Sequence, residues 1–325
     1  MKALIFGIDG QDGSYLAELL LARGYQVAGW VPDQIPFSQS NLASIVDRID
    51  LIHGDLSSQE SVNNCLEETR PDEIYNLAAP SFPAGSWEST VLVGDIAGLG
   101  VARILEAMRQ IVPQSHFYQA SSSEIFGSPI QSPQNECTPF HPRNPYGIAK
   151  LYAHWITVRY REFYGLFTTS GILYNHESPR RGYQFVTRKI SKRAVEIKLG
   201  LADTLKLGDL DARRDWGYAG DYVEAMWLMM RAPVPDTYVI GTGIPHSVRE
   251  FCELAFTCLN LDYRDYVVRD PELVRPPEQA QLTADSGKAR RELGWQPKVS
   301  FDELVRIMVL SDYKAINGAP YQNTE

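Results

Sequence analysis

The chain has 325 residues, 44% of them apolar and 22% charged, with a formal charge of −9 and an isoelectric point near 5.3. That length carries a large core and two lobes. The acidic balance excludes nucleic acid as a general partner, because neutralising phosphates takes a basic face. No run approaches a bilayer span and Met1–Phe6 is too short for a signal segment, so a soluble cytoplasmic protein with no membrane partner is expected. Cys65, Cys137, Cys252 and Cys258 show no CxxC spacing, which predicts reduced thiols and no metal site.

Lys2–Phe6 is a short apolar run ending in Gly7-Ile8-Asp9-Gly10-Gln11-Asp12-Gly13. A helical pattern over Ser14–Arg23 follows, Gly24 stops it, and Gln26–Val31 makes the next strand. Strand, glycine turn, helix and strand form a βαβ unit. Gly7, Gly10 and Gly13 then let backbone N–H groups, with Gln11 and Asp12 between them, approach a pyrophosphate at the helix N-terminus. A tight turn that binds nothing is the alternative.

The alternation continues with strands at 49–52, 73–77, 116–120 and 168–173, and helices at 59–68, 91–109 and 146–164. Alternating segments of this kind predict an α/β fold, a Rossmann-type doubly wound parallel sheet with a smaller C-terminal substrate-binding lobe. Asp55 and Leu56 follow one strand, and Leu77, Ala78 and Ala79 another, so both groups fall at the carboxyl edge where such sheets hold ligands. Asp55 reads either as an acceptor for the adenine amino group or as a helix N-cap. Beyond residue 174 the regularity decays, with helices at 188–199, 221–231 and 248–259 and a return to the sheet around 238–241. The expected division is 1–173 for the dinucleotide, with later returns near 208–243, and 174–325 mainly for substrate.

Tyr146 and Lys150 stand four apart on a predicted helix and so share one face. An ammonium near a phenol favours the phenolate, which can take a proton at neutral pH. Ser121-Ser122-Ser123-Glu124 precedes them, and the Glu124 carboxylate adds a second base beyond what alcohol oxidation needs.

Together these residues resemble the extended short-chain dehydrogenase/reductase superfamily and, within it, the GDP-mannose 4,6-dehydratase family. The resemblance runs from Gly7-Ile8-Asp9-Gly10-Gln11-Asp12-Gly13-Ser14-Tyr15-Leu16 to Arg275-Pro276-Pro277-Glu278. Its most specific strings are Tyr118-Gln119-Ala120-Ser121-Ser122-Ser123-Glu124, Asn175-His176-Glu177-Ser178-Pro179-Arg180-Arg181-Gly182, Phe185-Val186-Thr187-Arg188-Lys189 and Arg213-Arg214-Asp215-Trp216-Gly217. The resemblance implies a redox-neutral dehydration of GDP-D-mannose to GDP-4-keto-6-deoxy-D-mannose, with the nicotinamide cofactor recycled in each turnover. It assigns catalysis to Ser122 (Thr in the family), Glu124, Tyr146 and Lys150. It adds Leu173, His176 and Arg181 to the cofactor contacts, and gives the GDP-sugar Ser86, Asn175, Val186, Lys189, Gly208, Arg214, Arg275 and Glu278 besides Ser122 and Glu124. A homodimer or homotetramer is implied as well. A nucleotide-sugar 4-epimerase or 4-ketoreductase needs no second base, and a non-enzymatic member would lose Tyr146 or Lys150, so this chain fits both alternatives less well.

Two stretches depart from the family. Pro32 and Asp33 stand where arginines usually hold the 2′-phosphate of NADP; an acid there repels phosphate and accepts from a free ribose hydroxyl, which favours NAD over NADP. The segment Ala79-Pro80-Ser81-Phe82-Pro83-Ala84-Gly85 carries two prolines in a loop expected beside the nicotinamide and the hexose. Proline fixes φ and removes a donor, so the loop's shape must be its own.

Overall fold

The computed structural model describes residues 1–32, 41–273, 281–319 and 321. Its strands are β1 (Lys2–Phe6), β2 (Gln26–Pro32), β3 (Asp50–Gly54), β4 (Glu73–Asn76), β5 (His116–Ser122) and β6 (Thr168–Leu173). They continue as β7 (Asn175–Glu177), β8 (Leu205–Leu207), β9 (Arg213–Tyr218), β10 (Thr237–Ile240), β11 (Pro245–Ser247) and β12 (Val267–Arg269). Seven of them form one parallel sheet in the order β10-β6-β5-β4-β1-β2-β3. The order reverses at β1, whose neighbours are β2 and β4, and the crevice outside the carboxyl ends at such a reversal is where these sheets bind ligands.

The helices are α1 (Gln11–Ala22), α2 (Gln59–Thr69), α3 (Thr90–Val93), α4 (Gly100–Ile111), α5 (Pro145–Tyr164), α6 (Val186–Lys198), α7 (Ala219–Met229), α8 (Val248–Thr257), α9 (Gly287–Leu293) and α10 (Phe301–Asn317). One face of the sheet packs on α1 and α7, with Leu16, Leu20, Met226 and Trp295 in the cluster. The other face packs on α2, α4 and α5 through Leu66, Ile104, Met108 and Ala153. Because both faces are covered, β6 and β10 are buried along their whole length and show no polar alternation.

A third cluster joins α6, α8 and α10 around Trp216, Phe251 and Met308, and forms the core of the second lobe. A buried Arg188–Asp312 pair ties α6 to α10 within it. No helix among the described residues is long and apolar enough to cross a membrane.

Two helices differ from the sequence expectation for identifiable reasons. Helix α1 starts at Gln11 rather than Ser14, because Gly10 is its extended N-cap and Gly13 lies inside its first turn. A Cβ on Gly13 would meet Gly7 O at 2.2 Å and Ile8 Cα at 2.6 Å, so only glycine lets the helix start this close to the end of β1. The helix expected at 91–109 is interrupted by a π-helical turn over Gly94–Leu99, between α3 and α4. Glycines at 94, 98 and 100 ease that distortion. Arg103 spans it, pairing with Asp95 Oδ1 at 2.8 Å and donating to Leu56 O at 3.0 Å.

Candidate functional site

A cavity of about 870 Å³ runs along the carboxyl edge of the sheet, within the size range of small-molecule sites. Gly7, Gly10, Gln11, Asp12 and Gly13 line it from the turn after β1; Asp55 and Leu56 from the end of β3; Leu77, Ala78 and Ala79 from the end of β4. Ser122, Glu124, Tyr146 and Lys150 line it from β5 and α5, and Leu173, Asn175, His176 and Arg181 close it from beyond β6. Residues scattered over most of the chain length thus converge on one space. Asp33, Arg275 and Glu278 lie outside the described residues.

Five expected substrate contacts do not line this cavity. Ser86 is buried in the loop after β4, and its hydroxyl donates to Pro83 O at 2.6 Å, which commits it inside the loop. Val186 and Lys189 sit at the start of α6, Gly208 just past β8, and Arg214 on β9 with one guanidinium nitrogen donating to Arg213 O. These four belong to the second lobe, beyond the cavity.

The catalytic candidates gather where β5 ends and α5 begins. Ser122 starts a 3₁₀ turn over Ser123–Ile125, its Oγ accepting from Glu124 N at 3.3 Å. Asn144 is the N-cap of α5, accepting from Gly147 N at 2.7 Å, and Pro145 supplies the pre-set φ of the first helical position. Ser122, Glu124 and Tyr146 all line the cavity where β5 ends and α5 begins, which brings phenol, hydroxyl and carboxylate to one corner of it.

The phenolate expected from the Tyr146/Lys150 spacing is not preformed. Burial drives the Tyr146 pKa well above the usual range; the Ser122 hydrogen bond lowers it, the Glu124 charge raises it, and the Arg181 charge lowers it again. Lys150 is itself pushed down to about 8 by burial, against the opposing pull of Asp12. Its Nζ donates to Ala120 O at 2.8 Å and stands 5.8 Å from the Tyr146 ring centroid, so the amine is turned to a carbonyl rather than to the phenol.

At the start of α1 the cavity wall is fastened across the lobes. His176 Nε2 lies 2.7 Å from Asp12 Oδ2, and its Nδ1 lies 2.7 Å from Tyr174 O. Both ring nitrogens face acceptors, so both carry protons and the ring is an imidazolium. Burial opposes that charge, but the charge and hydrogen bond of Asp12 outweigh it and raise the His176 pKa. Burial likewise opposes the Asp12 charge; His176, Gln11 and Arg181 outweigh it and lower the Asp12 pKa. Gln11 adds a bond to His176 O at 3.1 Å and accepts from Ser178 Oγ at 2.8 Å.

Asp55 is not the cap of α2. Ser58 takes that place, accepting from Ser61 N, while the Asp55 carboxylate accepts from Ser57 N and Oγ at 2.8 and 2.6 Å. Its carboxylate stays on the cavity wall, with its pKa lowered by the Ser57 hydrogen bonds.

The cavity fits a dinucleotide. A Cβ on Gly7, whose φ is +79°, would meet Ala78 N and Cα at 3.0 Å, so glycine lets the turn lie directly against the segment after β4 on the cavity floor. Ser121 Oγ is buried on the wall with no hydrogen-bond partner among the described residues, a polar atom left over for a ligand.

Sequence reasoning missed three features here. Asp9 lines the cavity inside the glycine turn. Asn144 donates through Nδ2 to Glu124 Oε2 at 2.8 Å. From the two-proline loop, Phe82 packs edge-to-face on Phe185 of the second lobe at 5.7 Å, with the Arg181 guanidinium over the same Phe185 ring at 3.5 Å. Arg180 turns back onto α1, pairing with Glu18 at 2.6 Å and donating to Ser14 Oγ at 3.0 Å.

The Asp12–His176 pair carries a pH signature. The His176 contribution is complete below its ordinary value of 6.5 and is lost as pH rises through the raised value in the fold. The Asp12 contribution is present above its ordinary 3.8 and is lost as pH falls through its lowered value. Replacing His176 with Gln is expected to cost about 2 kcal/mol within that window, by leaving Asp12 without its cation. Denaturant unfolding of both proteins across pH measures it, and the gap between them should narrow on the alkaline side.

Comparison with known proteins follows the same lines. The sequence model of the GDP-mannose 4,6 dehydratase family matches residues 4–308. Over 327 residues the chain is 48% identical to GDP-mannose 4,6 dehydratase 1 of Arabidopsis thaliana, covering 95% of this chain and 89% of that protein. Over 345 residues it is 44% identical to the Homo sapiens GDP-mannose 4,6 dehydratase, covering 98% and 93% respectively. Among solved structures, the Thermus thermophilus UDP-glucose 4-epimerase in complex with NAD aligns with a TM-score of 0.84 at 28% identity, covering 97% of this chain and 100% of that one. With the family match spanning both lobes and the glycine turn, the serine–glutamate corner and the Tyr146/Lys150 helix meeting in one cavity, this chain belongs to the GDP-mannose 4,6-dehydratase family.

Proposed function

We propose that the protein is a nucleotide-sugar hydro-lyase that converts GDP-D-mannose to GDP-4-keto-6-deoxy-D-mannose with a nicotinamide cofactor. The observation that carries this reading is the Glu124 carboxylate on the cavity wall beside Ser122 and Tyr146, a second base that epimerases and ketoreductases do not require. We assign the cofactor to residues 1–173 with returns near 208–243, and the sugar nucleotide mainly to 174–325.

When bound, the oxidised nicotinamide supplies a hydride acceptor and a positive charge that favours phenolate at Tyr146. Ser122 holds the sugar C4 hydroxyl, and Tyr146 takes its proton as hydride leaves C4. The new ketone acidifies C5, and Glu124 removes that proton. The C6 hydroxyl departs as water, with Glu124 as acid and Ser123 assisting. Hydride returns to C6, so that the protons collected by Tyr146 and Glu124 end on water and on C5, and the cofactor finishes as it began. Asn175 on the wall, with Lys189 and Arg214 beyond it, anchors the nucleotide diphosphate, for which the planar Arg214 fork is suited.

Incubation with GDP-mannose is expected to give a product lighter by one water with no net change in cofactor oxidation state. Replacing Glu124 with Gln should lower that turnover by about a thousandfold and leave cofactor affinity intact. Undiminished dehydration by the variant would remove Glu124 from the chemistry.

NAD is the favoured nucleotide. The cavity near Trp30, Pro32 and Leu56 carries the carboxylates Asp9, Asp55 and Asp95, of which Asp95 pairs with Arg103; the cations Lys150 and Arg181 line it from α5 and from beyond β6. Asp9 has no ion-pair partner among the described residues, and burial raises its pKa. In sequence, residues 33–40 after β2 include Asp33 and no lysine or arginine, and Arg180 is engaged with its own chain's α1. Such a surface repels a 2′-phosphate and accepts from ribose hydroxyls. Titration of the purified protein with each reduced nucleotide, followed by fluorescence, should give NADH the lower Kd by about tenfold; a lower value for NADPH would reverse the assignment.

The outer face of α3, the π-turn and α5 supports a homo-oligomer: Val91 is 86% exposed there alongside Leu92, Leu99, Ile148, Tyr152 and Trp155. Contiguous apolar surface on two adjacent helices suits a second copy of the same face, giving a homodimer or, by further pairing, a homotetramer. Sedimentation velocity should show no monomer at micromolar concentration, and Tyr152→Glu should release it. The four free thiols suit a cytoplasmic setting.

A further inference from the structure

We propose that Asn144 is a positioning residue for the proton transfer at C5, holding one oxygen of Glu124 so that the other faces the sugar, and locking that carboxylate in register with the Tyr146 phenol. The inference rests on Glu124 acting as the base in the reaction above.

The geometry is specific to an amide. Asn144 Oδ1 accepts from Gly147 N at 2.7 Å, and Asn144 Nδ2 donates to Glu124 Oε2 at 2.8 Å. Reversing the amide would set an NH₂ against an N–H and a carbonyl against a carboxylate, so hydrogen bonding fixes its orientation. Asn144 itself stands outside the cavity lining, behind the carboxylate, whereas Glu124 is on the wall. Glu124 Oε1 has no hydrogen-bond partner among the described residues, which leaves it the oxygen available to a substrate proton.

The same side chain is the N-cap of the helix that carries Tyr146 two residues later and Lys150 one turn beyond that. The two segments touch directly as well: a Cβ on Gly147 would meet Glu124 O at 2.7 Å. One residue therefore references both bases to the same helix start. Ordinary caps cannot do this. Aspartate would cap the helix but present a carboxylate to a carboxylate, and serine caps with a single polar atom where the asparagine uses two.

Asn144→Asp tests the idea because it is isosteric and retains a favoured cap. The expected result is a ten- to hundredfold fall in kcat for dehydration, the size of a lost charge-assisted hydrogen bond, with KM for GDP-mannose within about twofold. Hydride removal at C4 should then outrun proton removal at C5, so the absorbance of reduced nicotinamide should accumulate during turnover, whereas the wild type shows none. Asn144→Ser should fall between the two, and the thermal midpoint of both variants should stay within about 2 °C of wild type. In the Glu124→Gln background, Asn144→Asp should add no further loss, because both act on one step.

An unchanged kcat, a loss matched by a lowered melting midpoint without accumulation of reduced cofactor, or a multiplicative loss in the double variant would each overturn the assignment. Failure of the wild type to dehydrate GDP-mannose would instead overturn the function proposed above and this inference with it.

Discussion

The half-buried ion pair between Asp12 and His176 sets the relation between the two halves of the cavity. Asp12 sits in the first turn of α1, where backbone N–H groups converge, and His176 lies on β7, just past β6 of the main sheet. Gln11 and Ser178 reinforce the link with bonds across the same seam. Charges partly withdrawn from solvent are costly unless matched, so the pair fixes geometry more than it adds net stability. The ring also stacks on Tyr222 of α7 at 4.6 Å, which locks its plane. The glycine-turn end of the cavity and the end beyond β6 are thereby held to one frame.

Elsewhere on the wall, burial governs charge in the opposite sense. Tyr146 and Lys150 are both pushed toward their neutral forms by the apolar surroundings; Ser122 and the Arg181 charge do not offset this at the phenol, nor does the Asp12 charge at the amine. A site in that condition is responsive. A single cation arriving beside the phenol changes its protonation, while the Asp12–His176 charges, already satisfied by each other, stay as they are. Structural charge and working charge are kept on separate residues.

Much of this was legible in the chain. The glycine turn and the Tyr146/Lys150 spacing are local patterns with fixed three-dimensional meanings, and every described residue named from them for the cofactor lines the cavity. The contact between Asn144 and Glu124 was not legible, because it joins two local signals across an irregular loop whose path no periodicity encodes. The π-turn escaped because its residues also suit an α-helix, and the packing of this stretch against α5 is not a local signal. Asp55 and Ser58 are equally good caps on paper; the end of β3 at Gly54 leaves Asp55 too early, and Ser58 wins by position. The phenolate was misjudged by counting neighbouring charges without the burial that outweighs them.

The edge of the main sheet next to β6 is completed by β10, contributed by chain that has already passed through α6, β8 and β9 of the other lobe. The halves are thus woven rather than strung in series. A polypeptide severed after residue 173 would leave the fully buried β6 with a row of bare amide and carbonyl groups, a template for aberrant association. During synthesis the same strand waits for chain made much later, which makes closure of the sheet a long-range and late event. The first 173 residues therefore lack one strand of the sheet they begin.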